Sequence, residues 1–451
     1  MKRNILIIIV LLVVVVIGAG VVVTTTRRTE WTTSSAAALA QFENGLAERD
    51  KLYYDDARAA FTKAVELDPN FLMAKYFLWA SLEGEKSDPR AAKLLDEFRH
   101  ADLSKLTDRE RFLVEYSLAA DDSKDPAAAE KILTAYAAKH PDDPYVLERK
   151  ANLATARQDW PEAHRLLARL IDVAPNRVVA YNQLGYLEMG QGRFADAQKM
   201  FETYRYIAPD QANPHDSLGE LFILLGKYGE ARQELEAALR IKPDFCASYE
   251  HLVRLALMQG KADQAEEALD RARHVSACQA SLGKGLACVI AVWRPLLAGD
   301  WEGVWKAQQA SCPNVENNDD PLQIWVAART GRNAEADAFV KRARERLEKL
   351  TPSAPGRGYM EAFVAHAEGV RLLLGGEPAQ AAEKFRFADR YLTYRQLSMG
   401  IVKLANRVEL VQALEASGAH DEAATALAEA RAVNPSFVDT LVHIMAPPAS
   451  D

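Results

Sequence analysis

Residues 178–211 read VVAYNQLGYLEMGQGRFADAQKMFETYRYIAPDQ, and residues 212–245 read ANPHDSLGELFILLGKYGEARQELEAALRIKPDF. Laid over one another, they put Gly192 on Gly226, Ala197 on Ala231 and Pro209 on Pro243, each pair 34 positions apart. The same step links Ala129, Ala163, Ala197, Ala231 and Ala265, and also Pro141, Pro175, Pro209 and Pro243. A fixed period of this length means stacked helix-turn-helix units, none of which can bury its apolar face alone.

The unit at 212 shows why. Leu218, Gly219 and Phe222 fall on one face of a first helix, Ala231 and Leu235 on one face of a second. Gly226 supplies the left-handed conformation of a tight turn, and Pro243 ends the second helix. Gly219 and Ala231 are small because two helix backbones are expected to approach there. The pattern resembles the tetratricopeptide repeat, whose signature is W-x2-L-G-x2-Y followed by A-x3-F, A and P. The resemblance implies an all-α, right-handed solenoid of about eleven repeats. A regular array over 38–280 holds units starting at 38, 72, 110, 144, 178, 212 and 246. Looser units follow near 285, 317, 362 and 404, where Gly299, Gly331, Gly376 and Gly418 keep the turn position. The unit at 285 replaces the close-packing alanine by Val304 and carries Pro295 in its first helix, which predicts a kink or a shortened helix. Degenerate helices are expected over 281–358 and further repeats over 359–451, with loops at Cys312–Pro321 and Leu350–Gly358. Units that touch only their neighbours should open first at the irregular C-terminal end.

Composition agrees. An alanine-rich chain poor in Val and Ile after residue 40 argues against any substantial sheet. A net charge of −8 and a pI near 5.7 disfavour nucleic acid as a partner.

The run Ile5–Val23 has no charged residue and comes close to the length that spans a bilayer core of roughly 30 Å. It is long for the apolar core of a secretory signal peptide, and Val21–Val23 follow its only small residues. One uncleaved transmembrane anchor over 1–23 is the expectation. The flanking Lys2 and Arg3 point the repeats outward, periplasmic if the membrane is a bacterial inner membrane. Residues 24–37, rich in Thr, Ser and Ala, read as a flexible linker.

Chemistry is sparse. No HExxH, CxxC pair or phosphate loop occurs, and His215-Asp216-Ser217 cannot form a relay because consecutive helical residues point apart. The Asn314–Asp320 cluster lacks the glycine of a calcium loop and reads as linker. Cys246, His251, His274 and Cys278 hold zinc only if both helices converge; core cysteines with surface histidines are the plainer account. A Cys278–Cys288 disulfide is open to an exported chain. Trp293, Trp301, Trp305 and Trp325 either fill gaps or form a docking surface. No enzyme activity, cofactor or metal is expected.

The family resemblance implies a concave groove lined by the first helix of each repeat. It falls here on Glu148, Asn152, Asn182, Tyr186, Asn213, Asp216, Glu220, Glu250 and Arg254, expected to be exposed. Four carboxylates against Arg254 suggest a neutral to basic, extended protein or peptide partner. A membrane-anchored interaction scaffold in envelope assembly is the leading expectation. Leu106–Tyr116, LTDRERFLVEY, is similar to a stretch in arrays attached to bacterial receptor kinases and transcription regulators. It supports the alternative, a sensory module working with a separate kinase or regulator.

Overall fold

The computed structural model describes residues 30–82, 88–312, 321–351, 354 and 356–446. All regular elements among them are helical. The chain separates into two compact units, 1–139 and 140–451, a division that falls inside the array expected over 38–280. The proposed membrane anchor lies outside the described residues, and no described helix is long and apolar enough to cross a membrane.

The first unit contains α1 (Ala36–Asp50), α2 (Tyr54–Leu67), α3 (Leu72–Leu82), α4 (Pro89–Arg99), α5 (Asp108–Ser117) and α6 (Pro126–Lys139). Gly45 of α1 has no side chain because the Phe61 ring of α2 fills that space; a Cβ there would lie 2.5 Å from the ring. Phe42 and Phe77 pack against the same ring, Phe71 packs against Phe42, and together they form an aromatic core.

Residues 30–35 are not the flexible linker expected. Trp31 is buried edge-on against Phe42 and Phe77, at 5.1 and 6.1 Å between ring centres. The Thr33 hydroxyl donates to Asp68, and Ser35 caps α1. The tether sequence hides one large apolar side chain, and burying it outweighs the freedom of its small polar neighbours. Glu110 locks this segment in place. Its carboxylate accepts from the Thr32 backbone N–H and hydroxyl, both at 2.6 Å, and from the Thr107 N–H at 2.8 Å. The last bond is half of a capping box at the start of α5, so the regulator-like stretch 106–116 has a local structural reason for its acidic residue. Glu110→Ala should strand three donors and cost about 3 kcal/mol. Hydrogen exchange should show residues 31–42 losing protection with the start of α5; unchanged protection at 31–42 would contradict this.

The second unit begins with four hairpins: α7 (Pro144–Ala156) with α8 (Trp160–Val173), α9 (Val179–Gly190) with α10 (Phe194–Ile207), α11 (Ala212–Leu224) with α12 (Tyr228–Ile241), and α13 (Cys246–Met258) with α14 (Ala262–Arg273). It continues through α15 (Ser276–Leu297), α16 (Trp301–Ser311), α17 (Pro321–Arg329), α18 (Asn333–Glu348), α19 (Arg357–Leu374), α20 (Pro378–Tyr391), α21 (Leu397–Ala416), α22 (His420–Val433) and α23 (Pro435–Met445). The turn glycines perform as expected: Gly192, Gly226, Gly260, Gly299, Gly331, Gly376 and Gly418 all have positive φ. Gly219 faces both the backbone and a side chain of the second helix: a Cβ there would lie 3.4 Å from the Ala231 carbonyl oxygen and 2.7 Å from the Leu235 side chain.

Pro295 does not shorten its helix, as α15 runs 22 residues. The proline sits in the last turn, and its carbonyl accepts from the Ala298 and Asp300 N–H groups, closing the turn just beyond it. Two disulfides, Cys246–Cys278 and Cys288–Cys312, replace the pairing considered between Cys278 and Cys288. Those two cysteines lie ten residues apart along α15, about 15 Å at helical rise, beyond the reach of a disulfide. Trp325 is buried, Trp293 stacks on Phe437, and Trp301 and Trp305 lie under Arg329 and Arg332; all four pack against the core.

The C-terminal helices are not a loose end. Asn434, which caps α23, donates to the Ile223 carbonyl at 3.1 Å and accepts from the Tyr228 hydroxyl. Gly400 of α21 sits against Leu224, and one apolar cluster runs from Met189 to Met445. Contact beyond sequence neighbours replaces the purely local stacking expected. Asn434→Ala should cost about 2 kcal/mol through its lost cap and long-range bonds. Hydrogen exchange should accelerate in α12 and α23 together; acceleration confined to α23 would show that the two ends are uncoupled.

Candidate functional site

The first helices α9, α11 and α13 present one inner face, and residues about one repeat apart meet on it. Asn182 accepts from the Ser217 hydroxyl at 2.8 Å, and the Tyr186 hydroxyl donates to Glu220 at 2.7 Å. The Ser248 hydroxyl donates to Asp216 at 2.7 Å. His251 Nδ1 lies 3.0 Å from Asp216, and its Nε2 is 3.7 Å from Glu220. A step of 34 residues returns each side chain to the same face one layer on, so the network runs along the stack.

Most of the residues expected to line this groove are on the right helices but not exposed. Asn182, Asn213, Asp216 and Glu220 are buried, and Tyr186 is half-buried. Asn213 Nδ2 lies 3.4 Å from the Tyr204 hydroxyl. Glu148 pairs with Arg177 at 2.8 Å, Glu250 with Arg254 at 2.7 Å, and Asn152 alone is fully exposed. Two facts explain the burial. The side chains satisfy one another, and a segment from far along the chain covers them. Leu392–Gln396, between α20 and α21, crosses this face as a strap that is extended at Leu392 and bends at Arg395 and Gln396 into Leu397, the first residue of α21. The Tyr394 N–H donates to the Gly190 carbonyl at 3.3 Å, and the Leu397 N–H to Glu220 at 2.6 Å. Beside the strap a cavity of about 430 Å³ remains, lined by Asn182, Gln183, Tyr186, Glu220, Glu250, His251, Arg254 and residues 395–398.

Sequence reasoning missed Gln183 and the strap, and weighed His251 only as a zinc ligand. Asp216 and His251, 35 residues apart, could have been paired from the repeat period; the strap carries no periodic signal.

Electrostatics tie the site together. Burial pulls His251 down, but the Asp216 and Glu220 carboxylates more than offset it and raise the imidazole to about 9. Burial, then the charges of Glu220 and Asp216, push the Tyr186 phenol well above its ordinary range. Counting Arg177 and protonated His251 with Arg254, four carboxylates face three cations, so the groove is less acidic than composition suggested. The Ser217 hydroxyl is spent on the Asn182 amide oxygen and the Ser248 hydroxyl on the Asp216 carboxylate. His215, Asp216 and Ser217 indeed turn to three different partners, Glu234, Ser248 and Asn182.

The four residues weighed as a zinc set do not converge. Cys246 and Cys278 are bonded to each other, and His274 is exposed beside its own Asp270 carbonyl. No group of three potential ligands exists among the described residues, and Asn314–Asp320 lies outside them. A second polar cluster, of Trp325, Arg329, His366 and Glu409, is enclosed between α17, α19 and α21. Burial raises the Glu409 carboxyl, opposed by His366 and Arg329.

A family model described as a tetratricopeptide repeat matches 120–185, 154–221 and 222–277. Residues 120–277 are thus similar to tetratricopeptide repeats. These repeats generally mediate protein–protein interactions, and the fold is typically a non-catalytic scaffold. No curated protein matches the chain. Among solved structures, the APC/C hetero-tetramer Cut9-Hcn1 is similar over 91% of this chain and 76% of that one, at 14% identity and a TM-score of 0.47. A tetratricopeptide repeat protein from Parabacteroides merdae covers 68% of this chain and 99% of its own, at 17% identity and a TM-score of 0.37. The protein titled Pseudomonas aeruginosa pilF covers 53% and 92%, at 18% identity and a TM-score of 0.27.

His251 gives this face a pH signature. Its folded value lies above the unfolded 6.5, so its stabilisation is complete below pH 6.5 and fades as pH rises through about 9. The loss should reach up to about 3 kcal/mol. Thermal melts between pH 6 and 9.5 should show that decline, and His251→Gln should flatten it; an equal slope in the variant would sink the assignment.

Proposed function

We propose that the chain is a membrane-tethered scaffold, which holds an extended segment of a protein partner along the inner face of α9, α11 and α13. One observation carries this: a non-repeating stretch of main chain already lies on this face, with the Tyr394 N–H donated to the Gly190 carbonyl at 3.3 Å and the N–H of Leu397, the first residue of α21, donated to Glu220 at 2.6 Å. Asn182, Gln183, Glu250 and Arg254 around the adjoining cavity supply both donors and acceptors, which suits a peptide backbone. The near-balance of charge favours a neutral to weakly basic segment with modest salt dependence.

The apolar run Ile5–Val23 is the tether in this proposal, with the repeats on the outer side of the membrane. Two disulfides among the four cysteines support an oxidising compartment, where such bonds persist. A role in envelope assembly fits that placement, and the net charge of −8 speaks against nucleic acid.

A photo-crosslinking residue in place of Gln183, in the native membrane, tests both parts. A specific protein partner should be captured, and capture should fall at least tenfold with Glu220→Gln plus Arg254→Glu. A reporter fused after Ala38 should be active only outside the cytoplasm. Capture that ignores both substitutions would remove the groove from the function; a cytoplasmic reporter would remove the placement.

A further inference from the structure

The strap is bound as a ligand would be. Leu392, Tyr394 and Leu397 are buried while Arg395, Gln396 and Ser398 stay exposed, and the backbone is extended at Leu392 and Gln396. The Tyr394 ring meets Phe194 edge-on at 5.3 Å, and two main-chain N–H groups go to the repeats. Gly190 leaves room for it, since a Cβ there would lie 3.2 Å from Arg395 Cβ. The fit is incomplete, however. A purely structural joint would be expected to close on matched groups. Here about 430 Å³ stays open, and Gln183 Oε1 is buried with no hydrogen-bond partner. Arg395 lines the same cavity with no counter-ion among the described residues.

We infer that Leu392–Leu397 is a pseudo-ligand occupying the partner's site, and that the partner segment carries the same chemistry. That segment is extended, with an aromatic residue, a basic residue, a polar residue and an aliphatic residue in succession, as in Tyr394-Arg395-Gln396-Leu397. Its aliphatic residue donates its N–H to Glu220. It exceeds the strap by reaching the open cavity, where it supplies a donor to Gln183. The inference rests on the groove being the scaffold's binding face, and it adds that binding is a competition with the chain itself.

The probe is a fluorescent synthetic peptide of residues 391–399, YLTYRQLSM, titrated into the full chain. In one variant Thr393, Tyr394, Arg395 and Gln396 become glycine and serine, which vacates the groove. In a second, Leu397→Pro deletes the N–H that Glu220 accepts, at a first helical position where proline is tolerated. The wild-type chain should bind the peptide at least tenfold more weakly than either variant, and adding Glu220→Gln should reverse the gain tenfold. A folded variant that gains no binding, or whose binding ignores Glu220→Gln, overturns the proposal. So does failure of both variants to fold, as judged by helical circular dichroism, because the strap is then an indispensable joint. Equal capture of the cross-linked partner by wild-type and vacated chains would end the competition while leaving the scaffold standing. Peptide binding by the vacated chain with no partner captured at Gln183 would do the reverse.

Discussion

Four of the hairpins depend on a missing side chain in the first helix. Gly45, Gly185, Gly219 and Gly369 each face a large residue sixteen positions later, Phe61, Phe201, Leu235 and Phe385. The ring or branched chain fills the space that a Cβ would take, which sets how closely the two helices approach. Opposite it, the second helix offers alanine, as at Ala197, Ala231 and Ala381, all fully buried. Close packing tolerates no added volume there, since overpacking a core costs about 1–3 kcal/mol. Because the hairpins share this geometry, residues 34 apart stand side by side, and the groove network from Asn182 to His251 follows from it.

Much of this was legible because it repeats. The period located the turn glycines, the buried alanines and the helices that carry the groove. Leu52, Lys124 and Gln158, fifteenth in their units as those glycines are in theirs, went unremarked in the sequence and adopt positive φ all the same. The first disulfide was also within reach, since Cys246 and Cys278 are 32 apart, nearly one repeat. What escaped was everything that acts once. Trp31 looked like part of a tether because only one residue in that stretch is large. Asn182, Asp216 and Glu220 looked exposed because the segment that covers them comes from 177 residues beyond Glu220 and follows no period.

The inner face combines two habits of polar groups. Within it, charges and hydroxyls satisfy one another, as burial requires. At its edge they grip a main chain, through Glu220 and the Gly190 carbonyl. His251 belongs to the first habit and sets how negative the second can be, since as a cation it balances one of its two carboxylates. A face of this kind offers fixed polar groups to a backbone rather than an apolar pocket to bulk.

The closure of α21 and α23 onto α9–α12 also bears on how the chain reaches its folded state. A stack that touched only its neighbours could complete each layer as it emerged from synthesis or export. Here Glu220 waits for Leu397, 177 residues later, and Ile223 waits for Asn434. At a synthesis rate of roughly 5–20 residues per second, the central groove stands uncovered for about 10–35 s before its own strap exists. During that interval Glu220 and the Gly190 carbonyl lack the main-chain donors that they hold in the finished protein.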